Sequence, residues 1–234
     1  MEYEFVKVEK RDHISIVTIN RPEVHNAVHP PLSLELDQVW NEFIEDRDQW
    51  VAVLTGAGDK AFSAGNDLKY SAQRGKYKVQ QPKSGFAGLT NRFDRTKPII
   101  AAVNGFAMGG GLEVALDCDI RIAEVQAQMG LPEAKVGLLP CAGGTQRLSW
   151  LVGEGWAKKM ILCGERLKSE EAKEIGLVEE VVEQGESLNR ALALADQSGE
   201  QSPTSVASCK EPVSYTHLRA HETSLHLVCR LLLE

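Results

Sequence analysis

An α/β fold of short strands and helices wound in sequence is what these 234 residues predict, and three observations predict it. Short apolar runs alternate with segments whose apolar residues recur at helical spacing. Glycines, 20 in all, punctuate the joins between them. Hydrophobic residues make up 43% and charged residues 25% of the chain, so a layered core can be buried, and disordered or fibrous classes fall away. The length fits about one to two domains.

The elements follow in order. Phe5 to Glu9 and Ile14 to Asn20 alternate apolar and polar residues about Arg11-Asp12, predicting an N-terminal hairpin that ends at Arg21-Pro22. Leu32, Leu36, Val39, Trp40, Phe43 and Ile44 recur at helical spacing behind Pro30-Pro31, predicting a helix that ends near Asp48. Val51 to Thr55 is a short buried strand that runs into Gly56-Ala-Gly58 and a loop carrying Phe62-Ser-Ala-Gly-Asn-Asp67. Arg74 to Lys83 is polar and basic without an apolar period, and is expected as a mobile surface segment before a helix around Gly88 to Asp94. Ile99 to Val103 is a strand, Gly109-Gly-Gly111 opens a helix through Leu116, and Ile120 to Ala123 is a strand again. Beyond Pro132, helices are expected around Gly143, Gly153 and Gly164. Ser169 is expected to cap a helix with Glu170 and Glu171 in its first turn, and Leu177 to Val182 is expected as a strand.

The last segment differs in composition. From Val213 to Glu234 there is no Gly, Asp or Lys, yet His217, His221 and His226 all fall there. His217 and His221 are one helical turn apart, but no paired carboxylate or cysteine accompanies them, so a metal site is not indicated. Tyr215 to Thr223 looks like the translated read-through of a sequencing adapter, which makes 213–234 an expected non-native tail on a core of residues 1–212.

Composition also narrows the function. The net charge of −7, with no Lys/Arg block, argues against nucleic acid or an anionic membrane as partner, and leaves a small-molecule substrate as the default. Five scattered cysteines without a CxxC pair suggest neither a disulfide framework nor a zinc site, and fit a reducing compartment. MEYEFVKVEK resembles neither a signal nor a transit peptide, so a cytoplasmic location is expected. Pro98 to Leu116 is nearly uncharged and about the length of a membrane span, but four glycines, Asn104 and Glu113 inside it speak against a lipid-facing helix.

Between Lys97 and Asp117 the one ionisable residue is Glu113, set among Leu112, Val114, Ala115 and Leu116. Burying a carboxylate there costs several kcal/mol unless it is paired or its pKa rises. Glu113 facing solvent, or meeting Arg121 or Arg147, would be the structural explanation. The functional one draws on the three preceding glycines, whose bare backbone at a helix start lets a ligand oxygen approach N–H groups, as in an oxyanion hole. Gly110 and Glu113 are i and i+3 on one helical face, so a carbonyl held at Gly110 would bring its neighbouring carbons near the carboxylate. Glu133, after Pro132 at an expected helix start, is a second carboxylate for acid–base work, or an ordinary helix-start acid. Neither GxxxxGK[ST] nor a GxGxxG after a strand occurs, which disfavours a phosphate cradle.

Together, Asn104-Gly-Phe-Ala-Met-Gly-Gly-Gly-Leu-Glu113, Phe62-Ser-Ala-Gly-Asn-Asp67, Leu131-Pro-Glu-Ala-Lys-Val-Gly137 and Gly143-Gly-Thr-Gln-Arg147 resemble the crotonase, or enoyl-CoA hydratase/isomerase, superfamily. The resemblance runs from about Tyr3 to Lys210 and stops where the family continues into C-terminal helices, so that region is expected to be truncated. It implies a spiral of repeated ββα units that binds an acyl-CoA thioester, with CoA as part of the substrate and no further cofactor or metal. The oxyanion donors would be the backbone N–H groups of Asn66 and Gly110. Glu113 and Glu133 match the two hydratase glutamates, which hold one water between them; Glu113 would chiefly activate it for attack at C3, and Glu133 would handle the proton at C2.

On the same resemblance Lys60, Ala61, Phe62, Ala64, Asp67 and Leu68 fall on the strand and loop that embrace CoA, largely through backbone contacts. Trimers that pair into hexamers are implied as well. Asn66 stands where many hydratases have a small residue, but the donor there is main chain. Ser84 to Thr90 with Lys97-Pro98 is similar to the carnitinyl-CoA dehydratases of the same superfamily. The implied activity is reversible hydration of a trans-2-enoyl-CoA to a 3-hydroxyacyl-CoA. Carnitinyl-type dehydration or double-bond isomerisation is the alternative, and a non-catalytic binding protein of the same fold ranks below both.

Overall fold

The computed structural model describes residues 3–73, 81–93 and 95–210. The expected hairpin is present, with β1 (Val6–Arg11) antiparallel to β2 (Ile14–Ile19) across a turn in which Asp12 has a φ of 50°. Helix α1 (Pro30–Glu45) begins at the proline pair, where a missing N–H costs nothing, and buries Leu32, Leu36, Val39, Trp40 and Phe43.

From there a unit of two strands and a helical segment repeats. Its first copy is β3 (Val51–Gly56), β4 (Ala61–Ser63) and α2 (Leu68–Gln73). The second is β5 (Ile99–Val103), β6 (Phe106–Met108) and α3 (Gly110–Asp117). The third is β7 (Ile120–Glu124) and β8 (Gln128–Gly130), followed by a 3₁₀ turn at Glu133–Val136 and α4 (Gly144–Leu162). Then come β9 (Arg166–Lys168), α5 (Ser169–Glu174), β10 (Glu180–Val182), α6 (Ser187–Gly199) and a helical stretch at 203–210.

The first strand of each unit joins one sheet and the second strand joins another. The larger sheet has the order β1-β2-β3-β5-β7-β10 and is parallel from β2 onward; the smaller has the order β4-β6-β8-β9, with β4, β6 and β8 parallel. This is the expected spiral of ββα units. Side chains of the large sheet alternate between two cores. Val17, Ile19, Ala52, Leu54, Ile99 and Ala101 pack toward α1, α3 and the small sheet, while Ile14, Ile16, Val51, Val53, Ile100 and Ile122 pack beneath Ala191 and Ala195 of α6. Cover on both faces explains why these strands read as continuous apolar runs. The Pro98 to Leu116 stretch is β5, β6 and α3, and among the described residues no helix is long and apolar enough to cross a membrane.

Several elements depart from the sequence reading. The helix expected around Gly88 to Asp94 is instead a 3₁₀ turn at Phe86–Gly88, because Gly85, Ala87 and Gly88 all take positive φ and break helical continuation; Asp94 lies outside the described residues. Ser169 does not cap α5. It is the first helical residue, and its hydroxyl donates to the Glu124 and Ala127 carbonyls, while Glu171 accepts from the Lys168 N–H. The helices expected around Gly143 and Gly153 are one helix interrupted at Gly153, and the strand expected from Leu177 is limited to Glu180–Val182. Strands β4, β6, β8 and β9 are three residues each, too short for a period of two to register. Residues 74–80 of the expected surface segment and the whole of 213–234 lie outside the described residues.

Candidate active site

The candidate site forms where β4, β6 and β8 end on one edge of the small sheet. Asn66 follows β4, the glycines open α3 directly after β6, and Glu133 follows β8. Two buried asparagines fasten the approach to β4. The Asn26 amide donates to the carbonyls of Ala57 and Ala61, at 3.0 and 2.7 Å, and the Asn104 amide to those of Gly56 and Gly58, at 2.8 and 2.7 Å.

Past β4 the chain makes a single parallel bridge to Val28 through the Gly65 carbonyl and the Asp67 N–H. That pattern turns the N–H of Asn66, between them, to the opposite edge. On that edge lies the start of α3: a Cβ added at Gly65 would stand 2.8 Å from the Gly110 nitrogen. The two expected oxyanion donors therefore come from adjacent backbones, and only glycine permits the approach. Gly110, as the first residue of α3, has no carbonyl one turn back to receive its N–H. The Phe86 ring lies against its α-carbon, since an added Cβ would come 2.6 Å from that ring.

Glu113 is buried and does not face solvent. Its Oε1 accepts from the N–H groups of Ala142 and Gly144 at 2.7 and 2.8 Å. Arg121, weighed as a partner, is bound instead to Glu179 and to the carbonyls of Leu177 and Cys118. Arg147 acts on Glu113 through its charge rather than by direct contact. Burial pushes the Glu113 pKa up; the two N–H donors and the Arg147 charge offset part of this.

Glu133 opens the 3₁₀ turn and is half-buried, with its Oε1 over the glycine turn, 3.1 Å from where a Cβ at Gly109 would sit. Its Oε2 is buried with no hydrogen-bond partner among the described residues. Burial raises its pKa, its own backbone N–H lowers it, and the negative Glu113 raises it further. Burial thus disfavours the charged form of both carboxylates, and the charge of Glu113 adds to this at Glu133.

A stability prediction follows for Glu133. Its pKa is higher in the folded chain than in the unfolded one, so the stability it contributes is full below the ordinary carboxylate range and is lost as pH rises through the raised value. Glu133→Gln is therefore expected to have a higher Tm than the parent at pH 8, with the difference closing toward pH 4. Thermal scans across that range would refute this if the variant were no more stable at pH 8.

The residues expected to meet CoA divide by exposure. Lys60, Ala64 and Leu68 are exposed along one edge of the site, together with Asn66, whereas Ala61 and Phe62 are sealed in the core as part of β4, leaving only their backbone to a ligand. Asp67 is buried and structural: it accepts from the Tyr70 N–H at 2.9 Å, starting α2, and pairs with Arg21 at 3.1 Å. Burial works against its charge, but these two partners hold its pKa below the usual carboxylate range. The sequence reading missed the Ala142–Gly144 donors and Phe86. The Gly143-Gly144 pair ahead of a helical period was the available signal for the donors.

Known proteins resemble this chain in sequence and in fold. Residues 9–233 match the enoyl-CoA hydratase/isomerase family. A short-chain-enoyl-CoA hydratase of Clostridium acetobutylicum is 42% identical over 217 residues, which cover 92% of this chain and 82% of that protein. A carnitinyl-CoA dehydratase of Escherichia coli is 38% identical over 93% of this chain and 87% of its own length. The crystal structure of an enoyl-CoA hydratase from Mycobacterium tuberculosis superposes with a TM-score of 0.84 at 40% identity, covering 90% of this chain and 81% of that one. Similarity of this extent in sequence and in fold means that the chain belongs to the enoyl-CoA hydratase/isomerase family, the crotonase superfamily.

Proposed function

We propose that the chain is an enoyl-CoA hydratase that adds water reversibly across the double bond of a trans-2-enoyl-CoA, giving the 3-hydroxyacyl-CoA. The observation that carries this reading is the pair of carboxylates, buried Glu113 and half-buried Glu133, beside the glycine-opened start of α3. In the proposed step, Glu113 accepts a proton from water as its oxygen attacks C3. The electron pair of the double bond moves toward the thioester, and C2 receives a proton from Glu133. The thioester oxygen gains charge only as the enolate develops, so the N–H groups of Asn66 and Gly110 bind it more tightly in the transition state than in the ground state. Electrons are not exchanged with a second molecule, so the reaction calls for no redox group. CoA would lie along Lys60, Ala64 and Leu68, contacting the backbone of Ala61 and Phe62 and the loop around Asp67.

Loss of the enoyl-thioester absorbance of crotonyl-CoA tests the proposal. It is expected with the parent and not with Glu133→Gln, and equal rates for the two would refute the assigned site. Dehydration of a carnitinyl-CoA is the second reading, favoured by the 84–90 segment and by the 38% relative. It predicts faster turnover of crotonobetainyl-CoA than of crotonyl-CoA. Assembly into trimers or hexamers belongs to the same proposal, supported by exposed Val136, Leu138, Leu139, Trp156 and Leu162, and light scattering of the purified chain tests it.

A further inference from the structure

We propose that Arg147 is a positioning residue for Glu113: it holds the Ala142–Gly144 turn that donates to the carboxylate, and Asp117 ties the arginine back to the helix that bears Glu113. The proposal rests on the catalytic reading of Glu113. Arg147 Nη1 donates to the Ala142 carbonyl at 3.1 Å, and its Nη2 donates to the Thr90 carbonyl at 2.8 Å and pairs with Asp117 Oδ1 at 2.5 Å. The N–H of the same Ala142 donates to Glu113 Oε1. One residue is thus gripped on both sides, by the arginine at its carbonyl and by the carboxylate at its N–H.

Asp117 closes the ring. It lies one helical turn beyond Glu113 on α3, and its second oxygen is fixed by Arg95 Nη1 at 2.7 Å, while Arg95 Nη2 holds the Asp117 carbonyl at 2.5 Å. The circuit from Glu113 through Ala142, Arg147 and Asp117 returns to α3, a rigid element with every residue buried. Gly143 makes the crossing possible: its φ is 97°, and a Cβ there would collide with the Arg147 guanidinium.

Cys141, Gly143 and Arg147 line a cavity of about 560 Å³ that also meets Arg95, Asp117 and Trp150. One side of the turn thus faces open space while Gly144 packs against Leu131, and on the open side the arginine fork holds the backbone through the Ala142 carbonyl. Two N–H groups fixed on Oε1 leave Oε2 as the oxygen free to take the water proton. Among the described residues, Arg147 from α4 and Glu133 from the 3₁₀ turn face Glu113 as charges, while Asp117, one turn along the same helix, is paired with Arg95 and Arg147. Removing Arg147 takes away a favourable charge and slackens two donors, and both changes raise the Glu113 pKa.

The test uses Arg147→Lys and Arg147→Met in the full chain, read by crotonyl-CoA hydration across pH and by amide hydrogen exchange. The expected result for the Met variant is a kcat lower by roughly 10- to 100-fold with KM near the parent value. The acidic limb of its kcat profile, where Glu113 must lose its proton, moves to higher pH. The amides of Ala142 and Gly144 exchange faster while those of β5 do not. Lysine keeps charge but not the fork, and falls between; if the Met variant does not fold by circular dichroism, the Lys variant decides. An unmoved limb with unchanged exchange overturns the proposal, and a moved limb with unchanged exchange does too, since charge alone would then account for it. Exchange needs no substrate, so if the parent fails to hydrate any enoyl-CoA the hydratase reading fails while faster exchange still supports the tether.

Discussion

Glu113→Gln is expected to lower kcat for crotonyl-CoA hydration by at least ~100-fold while leaving CoA binding within a few-fold of the parent, the scale of losing a general base. The geometry makes this substitution clean. A glutamine keeps an oxygen where Ala142 and Gly144 donate, so the side chain stays in place and the turn keeps its anchor. An amide stands where the second carboxylate oxygen was and takes no proton from water. The charge that desolvation penalises is also gone, so folding should not suffer. Stopped-flow hydration and CoA titration by calorimetry read the two quantities separately. A rate near that of the parent would remove Glu113 from the chemistry, and a proportionate loss of CoA binding would show that the residue shapes the pocket instead.

Gly110→Pro, measured against Gly110→Ala, is expected to cost a further 10²- to 10³-fold in kcat, roughly the effect of deleting one oxyanion donor. Either residue puts a Cβ into the Phe86 ring, so displacement of that ring is common to both. Proline alone removes the N–H. It is tolerated at the first position of a helix, where no intrahelical bond is lost. The ratio of the two variants therefore isolates the hydrogen bond from the steric change. Equal rates would mean that the Gly110 N–H does not bear on the transition state, and the proposed enolate site would have to move.

Much of this was legible in the sequence, and what was not has physical causes. The long strands and α1 show because each buries enough apolar surface to impose a period: β3 and β5 read as apolar runs, and α1 repeats Leu32, Leu36, Val39, Trp40 and Phe43. The small sheet is almost silent, since β4, β6, β8 and β9 offer three residues apiece. Glu113 stood out as a charge in an apolar helix, and the glycines before it as a bare backbone. Its true partners did not, because Ala142 and Gly144 contribute N–H groups that any residue other than proline possesses. Arg147 was visible as a possible partner of Glu113, but its grip is on a carbonyl, and no residue type announces that.

Successive ββα units place Asn66, Gly110 and Glu133 at equivalent points, each just beyond a parallel strand of the small sheet. Neighbouring strands lie about 4.8 Å apart, so one repeat after another delivers a group to the same small volume at a spacing set by backbone pairing alone. The rim is in this sense a row of interchangeable stations. A change at one of them alters what is offered to a bound thioester without disturbing the ladder that fixes the others. What the rim offers and what pairs the sheet are then set by different atoms, those just past each strand in the one case and the strand backbone in the other.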